Sequence, residues 1–167
     1  GVNHVGGLIG RNEYIVRDSK AAGNVDGHKS VGGLLGSSVG NVVDCYSSAN
    51  VYGIEIVGGL VGYNESSNIS RSYASGTVQG EKYVGGLVGV NTYNIVESYA
   101  IGSVDGVESV GGLVGINDSW VENCYSTGNV SGYASVGGLI GSNYQGVWYC
   151  YAIGNVEKKD DNIKNIG

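Results

Sequence analysis

The residues best suited to chemistry in this chain are aromatic. Tyr46, Tyr73, Tyr99, Tyr125 and Tyr151 recur at steps of 27, 26, 26 and 26 residues, and Trp120, Trp148 and Tyr149 add rings in the last two copies. A column of rings on an outward parity is a candidate wall for sugars, which pack against aromatic faces and hydrogen-bond to phenolic hydroxyls. Rings stacked about 4.8 Å apart also satisfy one another, leaving edges and hydroxyls rather than open faces. Ladder packing and carbohydrate contact therefore compete at the same five tyrosines and two tryptophans. Lys20 replaces the first tyrosine, so either the ladder begins there or the ammonium covers the end ring.

The remaining reactive side chains converge poorly. His4 and His28 are expected in variable loops near the first strand pair, with no cysteine in their columns. Asp18 and Asp44 share a column on adjacent copies, and paired carboxylates can hydrolyse glycosides. The same column goes on to Arg71 and Glu97, however, which reads as an ordinary wet surface. Another column runs Lys29, Glu55, Lys82, Glu108, alternating in sign, so neighbours can pair along the array for about 0 to 1 kcal/mol each. The glycine-rich phrases lack the Lys-Ser/Thr of a phosphate loop, and Gly115-Ile116-Asn117-Asp118 does not fit the calcium-binding nonapeptide. No catalytic residue, metal site or cofactor is expected.

Cys45, Cys124 and Cys150 fall in one column whose other members are Ser19, Ser72 and Ser98. Three cysteines are too few for a disulfide framework and lack zinc-ligand spacing. Their interchange with serine suggests a small inward slot. Cys124 and Cys150 on adjacent rungs would lie about 4.8 Å apart, which permits a disulfide without demanding one.

What positions all of these residues is a repeat. Val-Gly-Gly-Leu-Xaa-Gly occurs six times, with Gly-Gly-Leu starting at Gly6, Gly32, Gly58, Gly85, Gly111 and Gly137, at steps of 26, 26, 27, 26 and 26. A fixed period of this size marks a solenoid, in which each repeat is one unit stacked on the last. The chain has 32 glycines and no proline among 167 residues. That excludes collagen and suits a backbone whose hydrogen-bond ladders are nowhere interrupted. Glycine at that density opposes helix, and a propeller blade needs about 40 residues or more.

Within a copy, steps of two forward from the Cys/Ser column lead through Ala or Ser and mostly Gly to Val25, Val51, Val78, Val104, Val130 and Val156. This small apolar parity is inward. The opposite one, with the tyrosines and Asn24, Asn50, Thr77, Ser103, Asn129 and Asn155, is outward. Glycine two residues after the valine, as at Gly53 and Gly80, marks a turn; Lys158 stands there in the last copy. A second strand then carries Val-Gly-Gly-Leu-Xaa-Gly, and past it comes Asn12, Asn64, Asn91, Asn117 or Asn143, with Ser38 as the exception. Stacked asparagines can bond along a ladder. A third short segment carries Val16, Val42, Ile69, Ile95, Val121 or Val147, and the extra residue of the longer copy falls among Glu65, Ser66 and Ser67. The expected fold is all-β: a parallel β-helix-like solenoid of about six rungs of 26 to 27 residues, two or three short strands each, roughly 29 Å long.

In Val84-Gly85-Gly86-Leu87-Val88 apolar residues occupy both parities. Either Gly-Gly makes a bend or bulge, the favoured reading, or that strand is covered on both faces. Without a bend, Leu8, Leu34, Leu60, Leu87, Leu113 and Leu139 would form an exposed docking stripe.

Gly33-Leu34-Leu35-Gly36 and Gly86-Leu87-Val88-Gly89, followed downstream by a phrase such as Ser72 to Val78, resemble the GLUG repeat over nearly the whole chain, from Val5 to about Val156. The resemblance implies a repetitive scaffold in an extracellular or surface protein of a bacterium, as in adhesin-like proteins and the noncatalytic part of some immunoglobulin A peptidases. It carries over no catalytic residue. Those peptidases resemble zinc enzymes with His-Glu-Xaa-Xaa-His, and neither His4 nor His28 lies in such a motif.

A net charge of −6 and a pI near 4.7 argue against nucleic acid or an anionic membrane as partner. Apolar stretches are far too short for a membrane-spanning helix of about 20 residues. The sequence reads as one array over 1–167, a piece of a longer protein, with Glu157-Lys158-Lys159-Asp160-Asp161 breaking the pattern and Ile166-Gly167 hinting at a further phrase. The expected function is a noncatalytic structural or adhesive module whose partners are neighbouring repeats, further copies, or host or matrix glycans and proteins. The alternative is a carbohydrate-binding module attached to a larger enzyme such as a peptidase.

Overall fold

A computed structural model describes residues 3–160. The chain winds through six turns of a β-solenoid, and each turn contributes one short strand to each of five six-stranded sheets. The third turn is representative: Glu55–Gly58, Val61–Asn64, Ile69–Ser70, Tyr73–Ala74 and Val78–Gln79. Every pairing is parallel and in register, so each residue sits over its equivalent one repeat away, as Val57 does between Val31 and Val84.

Five strands per turn replace the two or three expected, because corners divide them. The Val-Gly-Gly-Leu-Xaa-Gly phrase is two strands with a bend between, Glu55–Gly58 and Val61–Asn64 in the third turn. The bend is tight enough that a Cβ on Gly58 would stand 2.0 Å from the carbonyl oxygen of Val61, an impossible approach for any other residue. It turns Leu34, Leu60, Leu87 and Leu113 fully inward, so the inner rungs carry no leucine stripe, and only Leu8 of the first turn is half exposed.

Two further corners use the left-handed backbone region without glycine. His4, Ser30, Ile56, Tyr83, Ser109 and Ser135 have φ of 51 to 62°, and Asp18, Asp44, Arg71, Glu97, Asn123 and Tyr149 have φ of 47 to 54°. His4 thus lies within the strand Asn3–Gly6 rather than in a loop; its equivalents sit between paired residues and are skipped by the ladder.

The core is thin and divided. One cluster joins the corner leucines to Leu35, Val61, Val88 and Val114, to Val42, Ile69, Ile95 and Val121, and to Cys45 and Cys124. The other is valine against valine, Val31, Val57, Val84 and Val110 facing Val51, Val78, Val104 and Val130. Two buried polar ladders run beside them. Asn64 donates to Asn91 at 2.7 Å, Asn91 to Asn117 at 2.8 Å and Asn117 to Asn143 at 2.9 Å. Ser38 takes the place of asparagine by accepting from Asn12 at 3.0 Å. In the longer third turn, Ser67 donates its backbone N–H to Asn64, three residues back, so the additional residue is absorbed by the loop and the stack is undisturbed.

The Cys/Ser column is the second ladder, and it explains why those two residues interchange. The backbone N–H of Cys45 donates to Ser72 Oγ, that of Ser72 to Ser98 Oγ, that of Ser98 to Cys124 Sγ and that of Cys124 to Cys150 Sγ, at 3.1 to 3.4 Å. The slot calls for a small acceptor above an N–H that the preceding left-handed corner removes from strand pairing. All three cysteines are free thiols.

At the far end, Val156–Lys158 is a strand pairing with Val130–Gly132. The charged run therefore continues the pattern through Lys158 rather than breaking it. Lys159 contacts Asp105 and lies over the Tyr133 ring at 5.7 Å. Asp161, Ile166 and Gly167 lie outside the described residues.

Candidate functional site

The five tyrosines stand where the repeat places them, on the outward side of the strands that begin at Tyr46, Tyr73, Tyr99, Tyr125 and Tyr151. Their rings stack with centroids 5.0, 4.8, 4.7 and 5.1 Å apart and planes within 4° of parallel. Each inner ring thus has both faces occupied, leaving edges and hydroxyls outward. Burial within the stack, with Tyr125 and Tyr73 adding to it, pushes the Tyr99 phenol above its ordinary value. Lys20 pairs with Tyr46 in the same ladder and so begins the column.

Trp120 and Trp148 are not part of that column. They meet edge to face, centroids 5.4 Å apart at 64°, around the neighbouring sheet, where Val121–Glu122 pairs with Val147–Trp148. Trp120 is 54% exposed and Tyr149 82%. The left-handed corner at Tyr149 separates this patch from Tyr151.

Charged columns act along the axis. Lys29 pairs with Glu55 at 2.9 Å and Lys82 with Glu108 at 3.5 Å. Arg71 grips Asp44 with two hydrogen bonds, at 2.7 and 2.9 Å, and those bonds hold the Asp44 carboxyl below its ordinary value. Desolvation pushes the Cys124 thiol up to about 12, so it is a poor nucleophile. Among the described residues, no three His, Cys, Asp or Glu side chains stand together as a metal site.

One feature of the surface is invisible in the column alignment. The first two sheets meet so closely that a Cβ on Gly36 would lie 2.5 Å from the carbonyl carbon of His4. The same contact repeats one rung up, between Gly62 and Ser30, and so on to Gly141 and Ser109. Each left-handed corner residue therefore faces the residue after that glycine in the next turn. Ser109 and Ser142 show the relation directly, with hydroxyls 2.9 Å apart. Applied along the rod it sets His4 opposite Ser37, Ser30 opposite Tyr63, Ile56 opposite Val90 and Tyr83 opposite Ile116. Between these two rows lies a groove of about 430 Å³, with Asn3 and Lys29 at one end and Asp118 at the other. The buried Nδ1 of His4, which lines the groove, has no hydrogen-bond partner, and neither has Oγ of Ser37, which is fully buried and does not line it.

The fold and these columns define a parallel β-solenoid repeat protein. A family model described as the GLUG motif matches the chain three times, at residues 1–26, 53–79 and 106–131. These are the first, third and fifth turns, and the turns between them carry the same phrase in register. Three of the six turns thus match the GLUG motif, a repeat unit and not a known catalytic domain. No curated protein and no solved structure matches it.

Proposed function

We propose that this chain is a noncatalytic structural and adhesive repeat module of a bacterial surface or secreted protein, a stiff rod that extends by adding rungs. What supports the reading is the unbroken register of five parallel ladders through six turns. Among the described residues, the first and sixth turns each present five strand edges without a neighbour. Such edges accept any strand of matching pattern, and the pattern that matches best is another rung of the same repeat, from adjoining repeats or from a second copy. The tyrosine and asparagine ladders favour the same partner, because an added rung continues both.

Negative-stain electron microscopy of the purified chain across a concentration series tests this. Filaments one rung-width across, lengthening with concentration, are the expected result. Short single rods at every concentration would remove assembly between copies.

A second reading draws on the exposed Trp120 and Trp148 pair beside Tyr149. An edge-to-face aromatic pair on an outward sheet is a surface on which a sugar can stack, and Tyr151, 53% exposed, continues it around the corner. Tyr73, Tyr99 and Tyr125 offer hydroxyls and edges only. Glycan contact would therefore concentrate at the tryptophan end, and a glycan array probed with wild type and Trp120→Ala distinguishes this reading from the first.

A further inference from the structure

The groove between the first two sheets departs from the repeat in a directed way. Its lining runs from polar, Asn3, His4, Lys29 and Ser30, to apolar, Ile56 with Val90 and Tyr83 with Ile116, and ends at Asp118. The tyrosine column, by contrast, repeats one residue type, and the Lys29, Glu55, Lys82, Glu108 column alternates charge for its own pairing.

Two observations say that the gradient faces something outside the chain. The first is at its polar end, where the buried Nδ1 of His4 meets no acceptor or donor. Buried polar atoms are nearly always bonded. The second is backbone strain. Ile56 holds φ of 61° and Tyr83 of 57°, a region that suits Asn, Asp or Gly and penalises β-branched and bulky side chains. Serine fills the same position in three other turns. Large apolar side chains kept at strained positions that open into a groove point to a use for those side chains.

We infer that the groove binds an elongated amphiphile, a monocarboxylate with an unbranched hydrocarbon chain. Its head lies at His4, near Lys29 and the Asn3 amide, and its tail runs along Ile56, Val90, Tyr83 and Ile116. Straightness follows from the register, since stacked columns make a linear trough about 4.8 Å per rung. Direction follows from charge. Lys29 has donors to spare beyond its bond to Glu55, whereas Asp118 repels a carboxylate at the opposite end. The volume of about 430 Å³ lies within the roughly 300 to 1,000 Å³ of small-molecule sites.

Isothermal titration of the whole chain with octanoate, decanoate and laurate, below their micellar concentrations, tests the site. One equivalent is expected to bind, with affinity rising about three- to fourfold per added methylene, as burial of a hydrocarbon chain requires. Ile56→Asn separates binding from folding, because asparagine relieves the left-handed corner: thermal stability should hold or rise while laurate affinity falls at least tenfold. Absence of laurate binding, affinity independent of chain length, or unchanged affinity in Ile56→Asn would each overturn the site. Dodecanol binding as tightly as laurate would overturn the carboxylate head.

Discussion

The tyrosine ladder and the groove are both outward surfaces that run along the rod, and they are built on opposite principles. In the ladder one residue type recurs, each ring covers the next at 4.7 to 5.1 Å, and the column needs nothing beyond another rung. In the groove the residues change from turn to turn, strained corners carry Ile56 and Tyr83, and the buried Nδ1 of His4 lacks a partner. Repetition stabilises the stack, because identical neighbours answer one another. Non-repetition does not, so a varied surface that also opens into a groove is where a solenoid can meet something other than itself.

If repeating columns serve the stack, damage to them should cost stability wherever along the rod it is made. The largest effect is expected in the buried asparagine ladder. Asn91→Leu leaves the Asn117 acceptor and one Asn64 donor without their partner, and should lower stability by about 2 to 4 kcal/mol. Asn117→Leu should match it to within about 1 kcal/mol, since solenoid energetics are a sum of near-identical neighbour terms. Reversible urea unfolding measures both; strongly unequal values would mean that the rungs are not equivalent.

A smaller difference should separate two tyrosines of similar burial. Tyr99→Ala removes two stacked contacts, each worth about 0.5 to 1.5 kcal/mol. Tyr83→Asn removes a groove residue and relieves a strained corner, so it should be neutral or stabilising. Equal losses in the two variants would erase the distinction between ladder and groove on which the ligand reading rests.

The sequence shows the ladder and conceals the groove for a physical reason. In-register parallel pairing puts each column on one line, so alignment at a period of 26 or 27 reveals the tyrosines, the asparagines, the inward valines and the alternating Lys29, Glu55, Lys82, Glu108 directly. The bend at Gly-Gly-Leu is legible too, since apolar residues on both parities need two directions in which to point. The left-handed corners are not, because Asp18, Asp44, Asn123 and His4 suit positive φ but share their columns with Ser, Ile, Tyr, Arg and Glu, which do not. Lacking those corners, the reading underestimates the strands per turn and leaves His4 in a loop. The groove is hidden further, because its facing residues lie in different columns and are offset by one turn. The recurring contact of Gly36 with His4 and the bond between Ser109 and Ser142 reveal that offset.

The smallest expected effect tests the charged columns, which repeat in position but not in kind. Arg71 holds Asp44 below the ordinary carboxyl value of 3.8, chiefly by hydrogen bonding and then by charge. A carboxyl with a depressed folded-state value contributes stability that is complete above its unfolded value and is lost as pH falls through the folded one. The stability difference between wild type and Arg71→Gln should therefore be constant from neutral pH down to about that value and shrink below it. The pair is exposed, so the difference should be slight at any pH and diminish further at high salt. A difference that survived strong acid undiminished would show that Arg71 acts through packing of its stem across the rungs, and the alternating charges would then be decoration on a register fixed by the buried ladders alone.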